Sequence, residues 1–135
     1  MQPAVDHCLF SSCRGLSPRR QLRRLPNPNT GWFYHTHTGE RLDIVYRRGS
    51  TYIPEAIAAL ERHLRDHRTG DVHPFDPRLF DSLFDLTRTV GHPGVEIDVI
   101  CGYRTSWSNM FLRRHSSGVA EHSLHLQAMA TLALA

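Results

Sequence analysis

At 135 residues the chain has enough material for one domain with a real core and too little for two. Its 16 basic residues are all Arg; residues 1–30 carry five of them against one acid and residues 31–135 carry 11 against 12, so the basic excess belongs to the first stretch and does not argue for nucleic-acid binding. Three cysteines, Cys8, Cys13 and Cys101, speak against a disulfide framework or a cysteine-rich zinc ribbon, and no apolar run reaches membrane-spanning length.

Residues 1–30 mix Pro, Arg, Ser and Asn without sustained periodicity, and read as a basic, disordered leader. The Arg pairs at 19–20 and 23–24 are followed by "LPNPNTGW" and not by an apolar stretch, so no working export signal is expected. "PNPNTG" is turn chemistry that separates this leader from a domain over residues 31–135.

"WFYHTHTGERLDIVYRR" predicts two β-runs about a turn at Thr38-Gly39-Glu40, with Leu42, Ile44 and Tyr46 alternating onto one face. "YIPEAIAALERHLRDHRTG" has Pro54 at a helix start, Ile53, Ile57, Leu60 and Leu64 at helical spacing, and Gly70 beyond the end. "DPRLFDSLFDLTRTVG" repeats the pattern, with Asp76 as N-cap, Pro77 at the first position, and Gly91 as the stop. Its expected inward stripe is Leu79, Leu83, Leu86 and Val90, with Phe80 and Phe84 beside it. Val95, Ile97 and Val99 alternate with Glu96 and Asp98 in a short strand that stops at Gly102. A third helix is expected over about Ser106 to His115, with Trp107, Met110 and Phe111 turned inward. The loop "SSGVAEHS" then leads to a final strand from about His125. The order ββααβαβ argues for an α+β fold, a small, mostly antiparallel sheet with helices packed on it.

Ten histidines are many for this length, and most have an ordinary explanation. His63 and His67, four apart on one expected helix face, read as solvated surface imidazoles without a third donor. His7 falls in the leader, and His73, His92 and His115 in loops or at helix ends. His35 and His37 fall on one side of a strand by its two-residue period. That spacing is compatible with zinc, and also with hydrogen bonds that hold the hairpin.

The sharper constellation is "ICGYRTSWSN" together with "SSGVAEHSLHLQAMA". A strand end projects Arg104, and Ser123-Leu124-His125 follows a Gly-bearing loop, so the two segments are placed to converge on one cleft. With these, and with Asn109, "HTHTGERLDIVY" and "LRDHRTGDVHPFDPRLFD", the chain resembles the murein endopeptidase K family over about residues 31–130. That family lies within the zinc D-Ala-D-Ala carboxypeptidase group of peptidoglycan hydrolases.

The resemblance implies a hedgehog-type fold and zinc-dependent hydrolysis of peptide cross-links in bacterial peptidoglycan. It also implies peptide stems as partners, no nucleic acid, and work in the periplasm after export. In the family motif Ser-x-His-x-x-Gly-x-Ala-x-Asp, Ser123, His125 and Ala130 match, which makes His125 the implied zinc ligand. Arg104 matches an Arg expected to pair with a substrate carboxylate or a developing oxyanion. Tyr103 and Ser123 take substrate-binding or structural roles, Ser123 as a loop-fixing hydroxyl and not a nucleophile.

Two positions depart from the motif: its Gly is Ala128, and its Asp is Leu132, which offers no lone pair. A catalytic zinc needs three protein ligands and an open position. "TLALA" ends the chain three residues after Leu132, so the sheet is expected to lack its final strands and to leave an unpaired edge. The alternative reading is therefore a catalytically inactive remnant, or a wall-peptide-binding module with an incomplete zinc site.

Overall fold

The computed structural model describes residues 30–134. The leader with its Arg pairs, His7, Cys8 and Cys13 lies outside the described residues. β1 (Thr30–His35) and β2 (Arg41–Val45) form the expected hairpin, with Phe33 opposite Leu42. Its turn closes because Gly39 takes a φ of 73°, in the left-handed region that glycine enters without a steric penalty. The His35 amide donates to Glu40 O at 2.9 Å, and the Gly39 amide to His35 O at 2.8 Å.

A two-residue ladder of β3 (Arg47–Arg48) and β4 (Thr51–Tyr52) leads into α1 (Pro54–His63). There follow α2 (Arg78–Thr89), β5 (Glu96–Cys101), α3 (Ser106–His115), a 3-10 turn at Leu124–Gln127 and β6 (Thr131–Leu134). The main sheet runs β2-β1-β5-β6: its outer pairs are antiparallel, and its central pair, β1 with β5, is parallel. The sheet is thus mostly antiparallel, as expected, with a parallel centre. That centre needs a long crossover, which α1 and α2 supply.

Strand alternation puts Phe33 of β1 and Ile97 and Val99 of β5 into one core with Ala56 and Leu60 of α1 and Phe80 of α2. The Phe80 ring stands edge-on to Phe33 at 6.4 Å between centroids. Leu60 is fully buried, and burial of a side chain of that size stabilises by about 1.5–3 kcal/mol. Asp81 on α2 fastens the small ladder to this core. It accepts the Tyr46 hydroxyl at 3.0 Å and the Tyr52 hydroxyl at 2.6 Å, and pairs with Arg47 at 3.0 Å.

Several local expectations change. α1 stops at His63, because the next carbonyl, Leu64 O, accepts the Tyr103 amide at 2.7 Å from the end of β5. His67 is therefore not helical, and His63 is 6% exposed and part of the interior. On α2, Leu86 and Val90 face solvent, while Phe80 and Thr87 are the buried positions. α3 has the expected span but the opposite orientation: Ser108 and Asn109 are buried, and Trp107, Met110 and Phe111 are exposed. The Asn109 amide binds the Ala120 and Glu121 carbonyls, both at 3.1 Å, which turns that polar face inward. His125 sits in the 3-10 turn, and the last strand starts later, at Thr131, pairing with β5 so that Leu132 lies opposite Val99.

Candidate active site

The segment that leaves β5 is held at three successive residues. Gly102 lies so close to α1 that a Cβ there would stand 2.1 Å from Leu64 O. The Tyr103 amide donates to that same carbonyl, and the Arg104 amide donates to His125 O at 3.0 Å. Thr105 caps α3, its hydroxyl accepting the Ser108 amide at 3.1 Å. The two segments expected to converge therefore meet, joined through backbone at Arg104 and His125.

The Arg104 guanidinium has only neutral partners among the described residues. One terminal nitrogen donates to Asn109 Oδ1 at 3.4 Å and the other to Cys101 Sγ at 3.3 Å. Its Nε is buried with no hydrogen-bond acceptor among the described residues, and no carboxylate there forms an ion pair with it. The guanidinium thus lacks a counter-charge among the described residues, and a carboxylate arriving from outside could take it by paired hydrogen bonds.

Ser123 is nearly buried, and its hydroxyl lies 3.1 Å from His125 Nδ1. His125 Nε2 lies 2.8 Å from the Thr131 hydroxyl. Burial, and then the neighbouring Arg104 charge, hold the His125 imidazole below its ordinary pKa, so at neutral pH the ring is uncharged and keeps a lone pair. Tyr103 packs on the core, its ring 4.8 Å from that of His73.

A second set of imidazoles lies where β1 ends against α1. The rings of His37, His63 and His67 stand 6.1, 5.8 and 5.8 Å from that of His35, and His37 stacks on His67 at 4.4 Å. His35 Nδ1 accepts the amides of His37 and Thr38, both at 3.3 Å. That pattern assigns the ring's proton to Nε2, which is buried with no partner among the described residues. His35 thus holds the hairpin, and His63 and His67 are brought to it by the chain reversal after α1.

A family model described as peptidoglycan L,D-endopeptidase MepK, within the M15 peptidases, matches residues 25–133. The chain belongs to this family. It is 37% identical over 105 residues to a probable peptidoglycan L,D-endopeptidase MepK from Haemophilus influenzae, an alignment covering 78% of this chain and 56% of that protein. It is 35% identical over 105 residues to the peptidoglycan L,D-endopeptidase MepK of Escherichia coli K12, covering 78% and 57%. The chain spans little more than half the length of these curated relatives. No solved structure matches it.

The MepK family resemblance implies zinc at His125, and the donors present can be held against that. Among the described residues no group of three or more His, Cys, Asp or Glu side chains is arranged to hold a metal ion. Both His125 nitrogens face hydroxyls, and Leu132 packs against the core where the motif has its Asp. The described residues supply one donor of the motif and do not by themselves fit a catalytic zinc.

Asp66 is a buried carboxylate at this site that the sequence did not disclose, although it stands in the quoted "LRDHR". It is 1% exposed and binds Thr105 beside Arg104. A lone Asp between a helix end and a Gly turn looks like a solvated loop residue, and only the β5 exit shows its partner.

Proposed function

We propose that this chain recognises the peptide stems of bacterial peptidoglycan as one of the L,D-endopeptidases that hydrolyse them, Arg104 being the group that takes a substrate carboxylate. The observation that carries this reading is the half-buried Arg104 guanidinium, with neutral partners only, joined through backbone to His125. Family membership supplies the substrate class. Paired hydrogen bonds from Arg104 would fix the stem peptide in register, Ser123 would hold the His125 ring, and Tyr103 would form a wall of the cleft. Zinc enters through the family alone, and His125 is the one donor of the family motif among the described residues. On this reading the protein would work in the periplasm. Among the described residues no helix is long and apolar enough to cross a membrane.

The test uses the whole chain and purified cross-linked muropeptides. Calorimetry should show binding that weakens at least about tenfold in Arg104→Ala, the loss of a charge-assisted pair. Mass spectrometry of the same mixtures, with and without added zinc, then reads whether an L,D bond is cut. Binding without cleavage would leave a wall-peptide-binding module, and no binding would sink the reading.

A further inference from the structure

Asp66 is a buried carboxylate that peptide recognition does not itself use. Its Oδ2 accepts both the amide and the hydroxyl of Thr105 at 2.9 Å, and its Oδ1 accepts the Arg68 amide at 2.9 Å. Its backbone is also engaged, the amide donating to Asp71 O at 2.9 Å and the carbonyl accepting the Gly70 amide at 2.7 Å. The loop that carries the carboxylate is thus itself fixed.

The register of these contacts bears on Arg104. Leu64 O takes the Tyr103 amide and Asp66 takes Thr105, so the residues on either side of Arg104 are both tied to the segment after α1. Arg104 lies between two anchors, and its own amide points the other way, to His125 O. The Tyr103 anchor is a backbone bond that any side chain could make. The Thr105 anchor depends on a carboxylate.

We infer that Asp66 is a positioning residue for peptide recognition: by gripping Thr105 it holds Arg104 against the His125 turn, where the guanidinium meets the substrate carboxylate. This rests on the reading of Arg104 given above. Burial alone would raise the Asp66 pKa, but the hydrogen-bond donors around the carboxylate, Thr105 and Arg68 among them, outweigh it and bring it down to about 2. The anchor therefore stays charged at neutral and mildly acidic pH.

Two measurements on Asp66→Asn, which keeps the shape and removes the charge, test this. In the free protein, exchange of the Arg104 amide should speed up at least about tenfold more than that of the Leu60 amide in the core, since charge-assisted bonds are among the stronger ones. The affinity for a cross-linked muropeptide should fall by about tenfold, and adding Arg104→Ala to the same chain should cost little more, as expected for two residues acting as one unit. Thr105→Ser, which keeps both bonds, should behave as the unchanged protein. If Asp66→Asn does not fold, Thr105→Val removes the hydroxyl bond to Asp66 together with the cap on Ser108 and keeps the amide bond, and Arg104 should then lose about threefold more protection than Leu60.

Equal loss of protection at Arg104 and Leu60 overturns the inference, because Asp66 would then serve stability alone. So does a peptide-binding loss that simply adds to that of Arg104→Ala. If Arg104→Ala leaves peptide binding untouched, it is the reading of Arg104 that fails, and the exchange comparison still decides whether Asp66 positions it.

Discussion

Ala128 has a φ of 54°, the only positive value at a non-glycine among the described residues. It follows the 3-10 turn that carries His125, at the position where the family motif has Gly. A Cβ in this region costs about 1–2 kcal/mol, against a backbone-entropy cost of about 0.5–1 kcal/mol for glycine. Ala128→Gly should therefore stabilise by roughly 0.5–1 kcal/mol, read as a higher urea midpoint at unchanged slope. Gly102 presents the opposite case. A methyl there would run into Leu64 backbone, which cannot move aside as a side chain could. Gly102→Ala should cost about 1–3 kcal/mol in the same assay, the usual penalty of overpacking, and should weaken muropeptide binding because it displaces Arg104.

At the scale of elements, the junction of β1 with the end of α1 is where pH should act. Burial, then the neighbouring His35, brings the His63 pKa down to about 4. Burial, then Arg68, does the same for His67, again to about 4, and burial followed by His37 and Arg65 lowers that of His35. Glu40 opposes this at His35 and His63, and Asp66 opposes it at His67, but neither prevails. An unfolded histidine titrates near about 6.5, so between that pH and about 4 the unfolded chain binds protons that the folded cluster refuses. The stability held by the neutral cluster is complete above about pH 6.5 and is lost as the pH falls. Urea midpoints should drop from pH 7 to pH 5, and His63→Phe, beside the aromatic Phe33, should flatten the drop. An unchanged midpoint in the parent protein would count against a buried neutral cluster.

At the scale of the whole molecule, apolar residues have two different fates. Phe33 lies at the centre of the core, against Phe80 and the His63 ring. Phe33→Ala should cost about 3–5 kcal/mol. Trp107 is larger, but it stands 54% exposed on the outer face of α3 and stacks on Phe111. Trp107→Ser should change stability by no more than about 0.5 kcal/mol, and thermal melts of the two variants side by side would show the contrast.

Much of the architecture could be read along the chain, because it depends on spacing over a few residues. The hairpin turn at Gly39, the start of α1 at Pro54, the whole span of α3 and the alternation of Ile97 and Val99 in β5 are all local patterns. The motif residues Arg104, Ser123 and His125 were also legible, through the resemblance. What spacing could not supply was which face of α3 turns inward, why α1 stops at His63, and that β1 pairs in parallel with a strand more than sixty residues on. These depend on partners brought together only by chain closure, such as Leu64 O for Tyr103 and the Ala120 and Glu121 carbonyls for Asn109. The sequence by itself determined the element types and the motif. Tertiary structure alone buried His63 and Asp66 and set Arg104 against His125, because the Asp66 carboxylate finds its donors at Thr105 and the Arg104 amide its acceptor at His125 O only when the chain has closed.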